Sequence, residues 1–129
     1  MTVRIASVTF DCADALTIGR FWSAALGRPL DPQASSDFAT IGFAGRRDRV
    51  GWAPAARDDD PTWMFVKVPE PKVAKNRMHL DLMAPDPEAE VARLVELGAT
   101  RVAEMEEYGY TWTVVADPEG NELCVAKAR

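Results

Sequence analysis

The chain is poor in the residues from which most metal and redox centres are built. It has one histidine, His79, and two cysteines, Cys12 and Cys124, too far apart for a C-x-x-C pair. A site built on several histidines is therefore excluded within one chain. Long apolar runs are also missing. The longest stretch without a charge runs only from Tyr108 to Ala116, against the roughly 18–20 residues of a membrane span. Arg4 interrupts the N-terminus before a signal-peptide hydrophobic region can form, so a cytoplasmic location and no membrane partner are expected. Basic charge is the minority sign, 15 Lys and Arg against 20 Asp and Glu, for a net charge of −5. A phosphate-backbone binder needs a clustered basic face, so nucleic acid is not an expected partner. The short Arg46-Arg47-Asp48-Arg49 cluster reads as a solvated hairpin tip.

Apolar residues make up 47% of the 129. A globular chain of this size buries roughly two-thirds of its surface, enough for one self-sufficient core. A single domain is expected.

One pattern is written twice. Residues 3–11 alternate as a strand, with Val8 and Phe10 on one face and Ser7, Thr9 and Asp11 on the other. Asp14 then caps a helix whose Ile18, Phe21, Trp22 and Ala25 share a face, and Gly27 and Pro29 stop it. Strands are predicted at 38–43, 49–53 and 62–68. The second copy starts with a strand over 77–84. Asp86 is its N-cap, Pro87 its first helical residue and Glu88 part of its first turn. Val91, Leu94 and Val95 form the expected buried stripe, and Gly98 ends the helix. Strands follow at 100–106, 110–116 and 122–127, with Asp117-Pro118-Glu119-Gly120-Asn121 as the last turn. Ser7 to Asp14 aligns with His79 to Asp86, and Leu26-Gly27 with Leu97-Gly98, which marks an internal repeat. Module one then covers about 1–68, a crossover 69–76, and module two about 77–129.

Two segments set in this duplicated order, VPEPKVAKNRMHLDL (68–82) and DPEGNELCV (117–125), resemble the vicinal oxygen chelate superfamily. That group includes glyoxalase I, bleomycin-resistance proteins and extradiol dioxygenases, and the likeness is to its glyoxalase-like domain subgroup. The resemblance covers nearly the whole chain. It implies an α+β fold in which two tandem βαβββ modules form a curved, half-open mixed sheet around a cavity, with the helices outside. It also implies a homodimer.

Strand alternation divides the residues that such a cavity would meet. Asn76, Met78, Leu80 and Leu82 share one face, and Lys75, Arg77, His79 and Asp81 the other. Leu123 and Val125 read as core, with Glu122, Cys124 and Ala126 pointing oppositely. The candidate cavity residues are Ser7, Thr9, Arg77, His79, Asp81, Glu122, Cys124 and Trp112. Trp52, Trp63, Phe65, Tyr108 and Tyr110 are further candidates for its apolar wall.

In metal-using relatives four positions, from the first and last strands of each module, carry His or Glu ligands to a divalent ion. Carried over, the resemblance assigns His79 to one of them. Ser7 is its counterpart in module one, Cys124 stands at the last-strand glutamate position, and the fourth position falls near Phe65. Glu122 lies two residues before Cys124 on the same face. Catalytic zinc normally takes three protein ligands, and non-haem iron two histidines and a carboxylate. The usual four-ligand site is therefore not expected, and no cofactor is. A divalent metal at His79 and Glu122, or an irregular set that adds Cys124 and Asp81, is the form a metal site would take.

Three functions stay open. The first is a protein that binds a small organic molecule in the cavity. The second is a lyase, isomerase or similar enzyme, with His79 as general base or in an irregular metal site and Arg77 holding an anionic oxygen. The third is a non-catalytic accessory dimer in which Arg77, His79 and Asp81 form only a structural polar network.

Overall fold

The computed structural model describes residues 5–43 and 61–128. The strand predicted at 49–53, the basic cluster at 46–49 and Trp52 lie outside these residues. The chain divides into two compact units, Met1–Pro71 and Lys72–Arg129, and the boundary falls within the crossover read from the sequence.

In the first unit β1 (Ser7–Cys12) runs parallel to β3 (Thr62–Lys67), and β2 (Phe38–Ile41) lies antiparallel on the other side of β3. Helix α1 (Ala15–Leu26) connects β1 to β2. Its start is fixed by Asp14, whose carboxylate accepts from the backbone N–H groups of Leu16 and Thr17 at 3.0 Å each. These are two of the donors that a helix leaves unpaired at its first turn. Gly27 ends the helix in the left-handed region, at φ +65°.

Ile18, Phe21 and Trp22 are buried beneath α1. Gly19 brings the helix backbone close to the sheet, since a Cβ there would stand 3.2 Å from Leu30 and 3.3 Å from Ala39. Phe10, Trp22 and Trp63 form a cluster with ring centroids 5.2–5.8 Å apart, and Phe65 adds to it 5.5 Å from Phe10. This corrects one expectation. Trp63 and Phe65 are not cavity wall but core, because the β1–β3 register sets them opposite Val8 and Phe10 on the helix-covered face.

The second unit is a complete βαβββ module: β4 (Leu80–Ala84), α2 (Pro87–Glu96), β5 (Thr100–Glu107), β6 (Tyr110–Ala116) and β7 (Glu122–Lys127). The sheet order is β4-β7-β6-β5, with β4 and β7 parallel and the other pairs antiparallel. Asp86 caps α2 by accepting from the Ala89 N–H at 3.2 Å, and Pro87 sits at its start. Val91 and Leu94 are buried on this side, as are Val115, Leu123 and Val125 of the sheet. Val95 is 43% exposed instead of buried. The helix leans on the side marked by Pro87, Glu90 and Leu97, which are half-buried, and this leaves Val95 on its solvent flank.

Two further details differ from the sequence reading. Strand β4 begins at Leu80, not at Arg77, so Arg77 and His79 precede it. The cause is Asn76. Its side-chain amide accepts from the Glu122 N–H at 2.9 Å and donates to the Glu122 carbonyl at 3.2 Å and the Met78 carbonyl at 2.6 Å. The amide thus occupies the backbone groups of β7 that an earlier start of β4 would use. Tyr108, an expected wall residue, is 91% exposed at the tip of the β5–β6 hairpin.

The closing turn of the unit follows its sequence closely. The buried Asp117 carboxylate accepts from the N–H groups of Glu119 and Asn121, each at 2.9 Å, and from the Asn121 side chain. Gly120 takes a φ of +85°. This turn sets the first residue of β7, and β7 carries Glu122 and Cys124 of the site described below.

Candidate functional site

The face of the second sheet that alternates with its buried residues forms a groove of about 730 Å³. Residues 75–128 supply every side chain that lines it. Strand period places them. Trp112 and Val114 point into the groove from β6 while Thr113 and Val115 are buried, and Cys124 points in from β7 between the buried Leu123 and Val125. Cross-strand pairing then joins Met105 to Trp112, Val114 to Cys124 and Cys124 to Asp81.

The lining is divided. Met83, Met105, Tyr110, Trp112 and Val114 give it an apolar body, and Lys75, His79, Asp81, Glu122 and Cys124 a polar end. At that end His79 Nε2 lies 3.4 Å from Asp81 Oδ1, and Lys75 Nζ lies 3.6 Å from Glu122 Oε2. Glu122 is the more enclosed carboxylate, its side chain 22% exposed against 77% for Asp81. Burial pushes the Cys124 thiol up from its ordinary pKa. The nearby Asp81 carboxylate raises it further, against a weaker pull from Lys75.

Of the residues singled out from the sequence, the groove brings together His79, Asp81, Tyr110, Trp112, Glu122 and Cys124. Ser7 and Thr9 belong to β1 of the first unit, opposite Thr62 and Met64. Arg77 is exposed and does not line the groove. Met83 and Met105 were not singled out. Alternation from Asp81 would have found the first, and pairing of β5 with Trp112 across the hairpin the second. The register also moves one carry-over. Cys124 faces Asp81, and by the repeat its first-module counterpart faces Thr9; that residue is Met64, not Phe65.

The profile of the glyoxalase-like domain family matches residues 7–126, almost the entire chain. The chain belongs to the glyoxalase-like domain family. It is thereby a member of the vicinal oxygen chelate superfamily, and its solved structural neighbours agree. A glyoxalase/bleomycin resistance protein/dioxygenase family enzyme from Burkholderia phytofirmans PsJN is 16% identical with a TM-score of 0.70, covering 98% of this chain and 100% of that one. The bleomycin-binding protein of Streptomyces verticillus, in complex with copper(II)-bleomycin, is 17% identical with a TM-score of 0.59, over 100% and 99% of the two chains. The lactoylglutathione lyase of Agrobacterium tumefaciens is 11% identical with a TM-score of 0.61, over 99% and 96%. At these identities the likeness is one of fold. No curated protein sequence matches the chain. Among the described residues no helix is long and apolar enough to cross a membrane.

Metal binding is the family property against which the polar end can be tested. The ligating atoms of His79, Asp81 and Cys124 all lie within 4.8 Å of one another. An imidazole nitrogen, a carboxylate oxygen and a sulfur make a donor set that suits a borderline or soft divalent ion. Glu122, the expected partner of His79, is engaged with Lys75 instead.

Proposed function

We propose that this glyoxalase-like domain protein binds a small organic molecule in the groove of its second unit. The division of the groove supports the reading: one apolar body lined by Trp112, Tyr110 and two methionines, and one polar end. An aromatic and thioether wall favours a flat or irregular apolar group, because methionine adapts its shape and sulfur contacts aromatic edges favourably. The polar end fixes orientation. Asp81 and Glu122 accept hydrogen bonds, Lys75 donates, and the His79 imidazole does either. A volume near 730 Å³ lies within the ~300–1,000 Å³ range of small-molecule sites.

Calorimetric titration tests this, with copper(II)-bleomycin and S-lactoylglutathione as first probes and 8-anilino-1-naphthalenesulfonate as a general aromatic probe. Saturable 1:1 binding is expected for at least one of them, weakened about tenfold or more in Trp112→Ala, a loss near 1.4 kcal/mol. Binding that is absent for all three, or unchanged in Trp112→Ala, overturns the reading.

The 3.4 Å approach of His79 to Asp81 supports a second reading, an enzyme in which His79 removes a proton from the bound molecule. The carboxylate would hold the imidazole in one tautomer with its second nitrogen free to act as base. Alternatively, a divalent ion held by His79, Asp81 and Cys124 would supply Lewis-acid polarisation of a substrate oxygen at the same end, with His79 then a ligand and not the base. Asp81→Asn distinguishes catalysis from binding. A catalytic dyad loses turnover while substrate affinity is retained, and a pure binding site changes affinity alone.

A further inference from the structure

Outside the groove, the described residues hold a smaller pocket of about 220 Å³ between Asp31, Phe38 and Phe43. The carboxylate of Asp31 is already taken there by the Thr40 hydroxyl at 2.5 Å and the Phe43 N–H at 2.8 Å. The surface ion pairs of Arg93 with Glu90, and of Arg101 with Glu88 and Glu104, are local and solvated. The floor of the groove is more informative, because the strand registers arrange its side chains in rows.

We propose that the groove takes a cationic arylalkylamine, with one flat aromatic ring seated over Ala126 between Met83 and Trp112 and the ammonium head against Asp81. This ligand class rests on the reading that the groove binds an organic molecule. Beyond that reading, it specifies the molecule's thickness, its charge and the distance between its two ends.

The ring site follows from register. Met83 pairs with Ala126, Ala126 with Trp112 and Trp112 with Met105, so these side chains form one row across all four strands, on the groove face. Neighbouring strands lie ~4.8 Å apart, which sets Met83 and Trp112 about 9.6 Å apart with only the Ala126 methyl between them. Carbon atoms in contact are ~3.5–4.0 Å apart. One planar layer therefore touches a wall on each face, and a second layer has no room. Alanine makes the slot, since a longer side chain at 126 would fill it. Trp112 offers a π-face and Met83 a thioether, both favourable neighbours for an aromatic ring. Met83 is exposed in the free protein, so a ring seated there also takes apolar surface out of water.

The head group follows from charge. The next row toward the polar end joins Asp81, Cys124 and Val114. Two residues of strand place it ~6.6 Å from the ring row, a distance that a spacer of two or three carbons covers. Lys75 answers Glu122 at 3.6 Å, so that charge is met within the chain. Asp81 faces the His79 imidazole at 3.4 Å and its ladder partner Cys124. No lysine or arginine among the described residues pairs with it. With the histidine neutral, the polar end therefore keeps one net negative charge. Lys127 also lines the groove, but at the opposite end of β7 and with the strand parity of the buried Leu123 and Val125. An ammonium group beside Asp81 removes the imbalance, and a carboxylate would add to it. The net charge of −5 on the whole chain favours the approach of a cation over that of an anion.

Calorimetric titration of the full-length protein with matched probes provides the test, at about pH 8, where an ordinary imidazole is neutral and an alkylammonium is charged. Naphthylethylamine, naphthylethanol and naphthylpropionate share a flat ring system and differ in the head group. Adamantylethylamine keeps the ammonium on a body too thick for the slot. The naphthyl amine should bind roughly three- to fivefold tighter than the alcohol and about tenfold tighter than the acid, with the preference fading in high salt. Asp81→Asn should bring the amine level with the alcohol, whose own affinity stays as it was. Ala126→Leu should weaken all the naphthyl probes about tenfold or more. Its added atoms enter the groove and not the core, because Ala126 is half-buried and faces the groove. Circular dichroism of both variants separates lost binding from lost fold, and the wild-type probe series decides the matter without them. An amine no tighter than the alcohol or the acid overturns the proposal. So does an Asp81→Asn loss shared equally by the alcohol, adamantylethylamine binding as well as its naphthyl counterpart, or full naphthyl affinity in Ala126→Leu. Each of these results leaves organic-molecule binding in the groove standing, whereas failure of every probe to bind overturns both readings.

Discussion

Cys124 shows how one ladder position sets the chemistry of a side chain. It lies on β7 opposite Asp81 and is half-buried between strands on either side. Burial and the adjacent carboxylate both disfavour its thiolate. In metal-free protein, alkylation of Cys124 by iodoacetamide should therefore be slower near neutral pH than that of a free thiol. The rate should keep rising at pH values above an ordinary cysteine pKa. The linked effect on stability has a definite sign. Between the unfolded pKa and the higher folded one the native state holds a proton that the unfolded chain has lost, so stability falls as pH rises through that window. Denaturant melts above pH 8 should show this fall in the wild type and not in Cys124→Ala. The same scale marks the limit of what the sequence reveals. The alternation that puts His79, Asp81, Glu122 and Cys124 on one side was legible. The role of Asn76 was not, because a side-chain amide that replaces a stretch of ladder leaves no periodic trace.

Among the elements, both helices were legible at both ends, because Asp14, Gly27, Asp86 and Gly98 each make a bond or adopt an angle that other residues adopt poorly. The facing of β3 was not. Its residues from Thr62 to Phe65 are buried or half-buried on both faces, so periodicity does not say which aromatic groups meet α1. The β5–β6 hairpin has a defect that invites repair. Its two turn residues, Tyr108 and Gly109, both have positive φ, +51° and +79°, as a type I′ turn requires. Glycine accepts this conformation and an aromatic residue resists it. Tyr108→Asn should stabilise the protein by about 0.5–1 kcal/mol, a rise in melting temperature of a few degrees for a chain of this size. Thermal denaturation followed by circular dichroism checks it. An unchanged or lower melting temperature would show that the turn is relaxed as it stands.

For the whole molecule, the duplication was the strongest signal in the sequence, and the two units keep it while diverging in use. Each has a first strand parallel to its last and a helix capped by aspartate. In the first unit the first-to-last strand pair carries Phe10, Trp63 and Phe65 into an aromatic core. In the second unit the same face is aliphatic, with Leu123 and Val125 buried, and the opposite face carries Asp81 and Cys124 into a groove where the first unit has Thr9 and Met64. Sequence comparison of the halves finds the scaffold, whereas this difference depends on which face of each strand is covered.

The position of β7 between β4 and β6 also sets a gradient of stiffness across the site. Backbone amides of Leu123 to Val125 are held in ladders on both sides, so they should be the last in the second unit to exchange with deuterium. Those of residues 77–79 precede the ladder and should exchange early. Cys124 is thus an anchored donor, Asp81 stands on an edge strand, and His79 rides on a short tether. A site graded in this way adjusts its reach through one end while the other stays fixed. Occupancy of the groove by an organic ligand should slow exchange at 77–79 far more than along β7.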